Sequence, residues 1–302
     1  MGKVVKMSKL RTAKVVVRYL LSFLLALVFT VMLLLGMLEL SFVNKGVILD
    51  IFSREVYAEK VQEFIMETSH RVTYTVGITE EELYGNALNL ERINEQATAY
   101  ADAMLEGNVY EIDVEAFQQD IYDNILLYMD DRGFERSTAN LNNAEELAET
   151  VAGYYRDGIA FPYLENFGSL FQTIDRYAAF ALLGGTVLCI FLLFLLFSSC
   201  QRKYHGAKFV IYAILSAMIN ILVPTGILYF SKVQERLTID TAFIQYFISN
   251  YVQAGSTRIV LLCLIFIPVV IGLIVWETIA HKKAWDKDHR RHRSHHHTES
   301  VQ

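Results

Sequence analysis

The sequence predicts an all-α membrane protein: four transmembrane helices, with a large extracytoplasmic helical bundle inserted between the first and second. Three observations predict it. Residues 19–38, 178–199, 210–230 and 259–276 carry no charge, and each run approaches the roughly 17–25 residues a helix needs to cross about 30 Å of hydrocarbon. Residues 45–175 are polar, follow the helical period, and have about three acids for every base. The first eighteen residues carry Lys3, Lys6, Lys9, Arg11, Lys14 and Arg18 and no acid. Short basic segments stay on the cytoplasmic side, so both termini are expected inside and the acidic segment outside.

The chain divides accordingly: a basic cytoplasmic N-terminus (1–18), a first span (19–43), an acidic extracytoplasmic domain (44–176) and a second span (177–199). A basic cytoplasmic loop (200–208), a third span (209–230), an aromatic-rich outer loop (231–258), a fourth span (259–276) and a basic, His-rich cytoplasmic tail (277–302) follow.

The first apolar run follows a basic start, as a secretion signal does. Its twenty residues exceed the usual 7–15 of such a segment, and Leu38-Glu39-Leu40-Ser41-Phe42-Val43 offers no small-x-small cleavage pattern. It is expected to remain as a signal anchor, with Glu39 at headgroup level. Beyond Lys45, the residues Tyr57, Val61, Phe64, Ile65 and Thr68 share one helical side while Glu55, Glu59, Glu63 and Glu67 ride the other. This predicts an amphipathic helix continuing the first span outward. The glutamate ladder reads as a solvated face, since nothing nearby completes a Ca²⁺ ligand set.

Thr79-Glu80-Glu81-Glu82 is a capping-box pattern, so a second helix is expected from there to Gly107-Asn108. Leu83, Leu90, Ile93, Ala97, Tyr100, Ala101 and Met104 face inward, and Gly85 and Asn86 weaken the first turns. Asp113 is the expected cap of a third helix with Phe117, Ile121, Ile125, Leu126 and Met129 inward, closed by Gly133 in the left-handed conformation. A fourth is expected from Asn143 to Gly158, with Leu147, Val151 and Tyr154 inward. After a turn at Pro162, residues 163–176 are expected to run into the second span.

Within the spans, Gly184 and Gly185 and the pair Ala213 and Ala217 mark close helix approach, or packing seams in an oligomeric pore. Pro224 and Pro268 have no amide proton to donate to the carbonyls of Asn220 and Leu264, which predicts kinks. Asn220 has two readings: a hydrogen bond to a neighbouring helix, the commoner use, or contact with a transported solute. In the loop before the fourth span, Phe243, Tyr246, Phe247 and Tyr251 form an apolar face, expected to dock against the outer domain rather than lie on the bilayer. The tail offers Lys282, Lys283, Arg290, Arg291 and Arg293 to anionic lipid, each base near the surface contributing about 1 kcal/mol. Its histidines alternate with arginines that repel cations, so no metal is assigned there.

The chain contains no Gly-x-Ser-x-Gly, His-Glu-x-x-His or phosphate-binding Gly-x-x-x-x-Gly-Lys pattern, and the four charge-free runs offer no charged residue or histidine to activate water. No cofactor, catalytic residue or metal site is assigned. The basic segments are short and lie against the membrane, which disfavours nucleic acid as a partner. The three cysteines, Cys189, Cys200 and Cys263, leave the outer domain without a thiol, and it carries no Asn-x-Ser/Thr sequon. Both fit a bacterial plasma membrane. Nearly half the chain is outside, which points to a non-enzymatic membrane protein whose outer bundle, residues 45–175, engages a protein or envelope partner. A channel or transporter subunit is the alternative reading, and an enzyme acting on lipid or envelope polymer the third. Ligand and oligomeric state are not legible.

Overall fold

The computed structural model describes the backbone of residues 2–74, 76–162, 164–200, 203–231 and 239–299, and the side chains of residues 15–74, 76–162, 164–200, 206–231 and 239–283. The predicted contacts of Arg290, Arg291 and Arg293 and of the tail histidines lie outside the described side chains, as do the lysines before Val15. The described residues form helices and no strand. In chain order these are α1 (Gly2–Ser41), α2 (Lys45–Phe52), α3 (Glu55–Thr73), α4 (Glu80–Tyr84), α5 (Leu90–Glu106), α6 (Glu115–Asp131), α7 (Thr138–Ile159), α8 (Leu164–Ser199), α9 (Lys203–Ser231) and α10 (Ala242–Glu299). Four stretches are long and apolar enough to cross a membrane: Val15–Phe52, Thr138–Ser199, Gly206–Ser231 and Ala242–Lys283. The chain is a multi-pass membrane protein.

Contacts divide the chain into two units. The first comprises Met1–Leu40, Arg176–Ser231 and Ser256–Gln302; the second comprises Ser41–Asp175 and Lys232–Gly255.

In the first unit the helices alternate in direction, as the contacts at one end show. Arg18, early in α1, donates from Nε to the carbonyl of Ser199 at the end of α8 (3.0 Å) and again from Nη2 (2.5 Å). A guanidinium there satisfies a terminal carbonyl and opposes the negative end of the helix dipole. Ser22 Oγ donates to the carbonyl of Phe209 near the start of α9 (3.2 Å), and Lys208 pairs with Glu277 of α10 (3.3 Å). Leu25, Cys189, Leu192, Leu196 and Ala213 form the buried centre.

The second unit is a helical body with one core. Its largest fully buried side chains include Tyr57, Tyr155, Phe52, Phe117 and Phe243. Phe117 of α6 stacks on Tyr155 of α7, centroids 4.3 Å apart. Ala144, Ala148 and Ala152 on the same face of α7 are buried and let the helix come close to its neighbours. Phe52 meets Tyr57 (4.7 Å), Phe247 (5.2 Å) and Phe161 (5.7 Å), and Phe161 meets Phe247 (4.5 Å). Residues from the start of α10 thus share a core with helices that lie nearly two hundred residues earlier in the chain.

Local chemistry explains where the helices begin and end, including where the sequence reading differs. The expected helix running on from the first span is interrupted twice. Asn44 accepts the Gly46 amide proton and starts α2, and α2 ends at Ser53 before α3 begins. The expected second helix is two, because Gly85 adopts a positive φ of 46° and Asn89 caps a fresh start by accepting the Glu91 amide proton. The Thr79 capping box is present, with both reciprocal bonds. α7 begins at Thr138 rather than Asn143, with Ser137 accepting the Asn140 amide proton. Its buried tyrosine is Tyr155 rather than Tyr154, because the alanine stripe sets the inner face one residue later. α6 begins at Glu115, whose amide donates to the Asp113 carboxylate. α8 runs unbroken from Leu164 to Ser199. The α10 backbone stays helical past the fourth apolar run, to Glu299.

Candidate functional site

α6 ends in a tight reversal that shapes one end of the second unit. Gly133 takes a φ of 73°, its amide donates to the Asp130 carbonyl (3.1 Å), and the Phe134 amide donates to the Met129 carbonyl (2.9 Å). This is the Schellman arrangement, open to glycine because it has no Cβ to clash in the left-handed region. The reversal holds Phe134 against Tyr128, ring centroids 6.3 Å apart. Tyr128 in turn donates its hydroxyl to the carbonyl of Gly77 (3.3 Å), tying the turn after α3 to α6.

These ends enclose a cleft of about 420 Å³. Its floor is apolar: Val72 and Ile78 from the end of α3 and the following turn, Ile125 and Met129 from α6, and Ala144 and Leu147 from α7. Asn140, Asn143, Glu146 and Thr150 form a polar edge along α7. Val76 and Phe134 also line the cleft, yet are 53% and 52% exposed. Apolar surface therefore extends beyond the cleft onto its rim. α3 is 19 residues long, which is about 28 Å at helical rise. The cleft lies at its far end from the cluster of Phe52, Tyr57 and Phe247.

The charges around the cleft are sorted by pairing. Arg136 binds Asp130 through both Nε (3.1 Å) and Nη2 (2.6 Å), and this hydrogen-bonded guanidinium holds the Asp130 carboxyl below its ordinary range. Arg132 reaches Glu82 (3.5 Å) and lies over the Tyr128 ring (5.3 Å). Glu82 is also lowered, chiefly by the Thr79 backbone amide and then by the Thr79 hydroxyl, both of which donate to it. Asp131, Glu135 and Glu146 are exposed and have no ion-pair partner among the described residues. Of these three acids Glu146 lines the cleft, and Arg71, next to the lining residue Val72, is likewise exposed and without an ion-pair partner among the described residues.

The residues singled out from sequence are dispersed. Phe243 and Phe247 are buried in the core of the second unit, Tyr246 is half-buried beside Tyr57, and Tyr251 donates its hydroxyl to the Phe42 carbonyl (2.6 Å). In the first unit, a Cβ on Gly185 would lie 2.8 Å from Met32 Cγ, so that glycine allows α1 and α8 to approach. Gly184 faces open space. Ala213 and Ala217 are fully buried, whereas Asn220 and Pro224 sit on an exposed face of α9 and Pro268 on an exposed face of α10. Lys282 and Lys283 are exposed. None of these residues lines the cleft, and sequence reasoning missed the cleft itself. An apolar residue immediately after a helix-ending glycine commonly packs back on the last turn of its helix, so Phe134 gave no distinct sign of a cleft.

No family model matches this chain, and neither a curated protein nor a solved structure matches it.

Proposed function

We propose that this chain is a non-enzymatic, multi-pass protein of a bacterial plasma membrane whose second unit lies outside the membrane and binds another protein through the cleft at the end of α3, α6 and α7. The cleft is the observation that carries this reading. Its volume falls within the roughly 300–1,000 Å³ of sites that take organic groups. The exposed Val76 and Phe134 extend its apolar surface past the size of one small ligand, which favours an apolar face of a protein partner. The exposed Glu146 on the polar edge of the cleft favours a lysine or arginine beside that face. The expected occupant is an amphipathic segment with apolar anchors and basic flanks.

The charge distribution supports the orientation. Arg18 and Lys208 mark one end of the first unit, and the basic loop and tail adjoin it. On this reading Lys282 and Lys283 contact anionic lipid at the cytoplasmic face.

A photo-crosslinking residue placed at Phe134 or Leu147 in the full-length protein, expressed in its native membrane, tests the proposal. Both positions should capture the same protein, and the 97%-exposed Val109 should not. Equal capture at all three positions, or none at Phe134 and Leu147, contradicts it.

The channel or transporter reading draws on Asn220, exposed within an apolar span. It requires solute flux in liposomes that Asn220→Leu changes.

A further inference from the structure

Asn220 is the one amide side chain in the four charge-free runs. It lies 14 residues after Gly206 and 11 before Ser231, the limits of the third span, or about 21 Å and 16 Å from its ends at helical rise. That places it near the bilayer midplane, where water does not reach the surface of an isolated helix bundle. Yet it is exposed on the surface of the chain, and no hydrogen bond of its side chain occurs among the described residues. Pro224, one turn later in the same helix, has no N–H to donate to the Asn220 carbonyl. A side-chain amide and a main-chain carbonyl thus share one spot on a surface that faces hydrocarbon, where unsatisfied polar groups are costly.

Among the other polar side chains of the spans, two threonines bond within their own helices and Ser22 bonds to the Phe209 carbonyl of a neighbouring helix. Thr30 donates to the Ala26 carbonyl and Thr186 to the Leu182 carbonyl, both at 2.7–2.8 Å. Ser216, one turn before Asn220, is exposed beside it. Val223 and Ile227 continue the same side of α9 at 54% and 64% exposure. Ala213, Ala217 and Ile221, about 20°, 60° and 100° round the helix from Asn220 in one sense, are buried, while Ser216, Val223 and Ile227, within about 60° in the other, are exposed, so Asn220 stands at the edge of the packed face.

We propose that this face of α9 is an interface with a second copy of the chain, arranged about a two-fold axis that brings the two Asn220 side chains together. The amide has two N–H donors and a carbonyl acceptor, so it is complementary to itself. Reciprocal pairing across a two-fold axis lets each Nδ2–H donate to the partner's carboxamide oxygen, and the second N–H can meet the main-chain carbonyl left without a donor by Pro224. The four charge-free runs hold no other side-chain amide, so a two-fold contact is the arrangement that gives Asn220 an identical partner. Small and β-branched neighbours, Ser216 and Val223, allow the helices to approach.

The test uses full-length protein in liposomes, with donor- and acceptor-labelled copies mixed at decreasing protein-to-lipid ratio. The wild type should show energy transfer that follows a monomer–dimer equilibrium. Asn220→Leu should weaken the dimer about five- to thirty-fold, the range of interhelical polar contacts in membrane peptides, while leaving helix content and melting temperature unchanged. A second readout does not depend on that variant. In a background of Cys189→Ala, Cys200→Ser and Cys263→Ala, cysteines at Val223 and Ile227 should form intermolecular disulfides. A cysteine at Leu215, about 140° round the helix from Asn220, should not. Energy transfer absent at every ratio, a dimer indifferent to Asn220→Leu, or equal crosslinking at Leu215 and Val223 overturns the proposal. So does crosslinking of Val223 to a different protein alone, or an Asn220-dependent flux carried by monomers.

Discussion

Tyr57 and Tyr155 show what one side chain costs and contributes in the second unit. Both rings are fully buried, and neither hydroxyl has a protein partner. Burial raises both phenol pKa values, and the same desolvation lifts Tyr84 to about 12. The folded state holds these phenols neutral, so the stability they confer is present below the unfolded phenol pKa of about 10 and is lost as pH rises above it. Because the hydroxyl of Tyr57 bonds to no protein group, Tyr57→Phe should leave thermal stability unchanged near neutral pH and soften its alkaline loss. A drop above about 1.5 kcal/mol on chemical unfolding would show a hydroxyl bond. Phe117→Ala, which removes one ring of the stack on Tyr155, should cost about 3–5 kcal/mol. Glu82 and Asp130 act in the opposite pH range. Their folded pKa values are lowered, so the stability they contribute is present above the unfolded carboxylate pKa of about 4 and is lost as pH falls through the folded values. Melting temperatures followed from pH 7 to pH 2 should therefore decline more gently for Glu82→Gln, which keeps the capping-box geometry without the titrating group.

At the scale of elements, close approach decides more than apolar content. A Cβ on Gly168 of α8 would lie 2.2 Å from the Met104 carbonyl oxygen of α5, a main-chain atom that cannot step aside. Gly168→Ala should destabilise the second unit by about 1–3 kcal/mol or more, measured by denaturant unfolding, whereas alanine at Gly133 affects the reversal after α6 only through its φ. The elements legible from sequence are those with strong local chemistry. The Thr79 capping box, the helix end at Gly107, the left-handed Gly133, and the apolar spacing of Phe117, Ile121 and Ile125 are present. The missed features have weak local signals. Asn140, Asn142 and Asn143 are poor helix formers that hide the first turns of α7, and alanine gives no periodicity to mark the face that Tyr155 shares. α2 is only eight residues long, too short for periodicity to separate it from the first span.

At the scale of the whole molecule, the second unit depends on a segment separated from the rest of its core by the second and third apolar spans. Phe243 and Phe247 fill space between Phe52, Tyr57, Phe64 and Phe161. Sequence spacing marked these aromatics as one face, but their placement is a tertiary fact, as is the cleft, whose lining comes from three helices and two turns. Phe247→Ala in the full chain should therefore lower the unfolding temperature of the second unit and cost about 3–5 kcal/mol, although residue 247 lies more than seventy residues beyond Asp175. If this unit melts unchanged, the shared core is wrong. The functional account rests on the cleft, and it is tested most directly by equilibrium binding of the protein captured at Phe134 and Leu147. Full-length chain, Leu147→Asp and Glu146→Lys should be titrated side by side with Glu111→Lys, an equal charge change on an exposed residue outside the cleft. The account predicts at least about tenfold weaker binding for the two cleft variants and unchanged binding for Glu111→Lys. Equal affinity for all four proteins would contradict it.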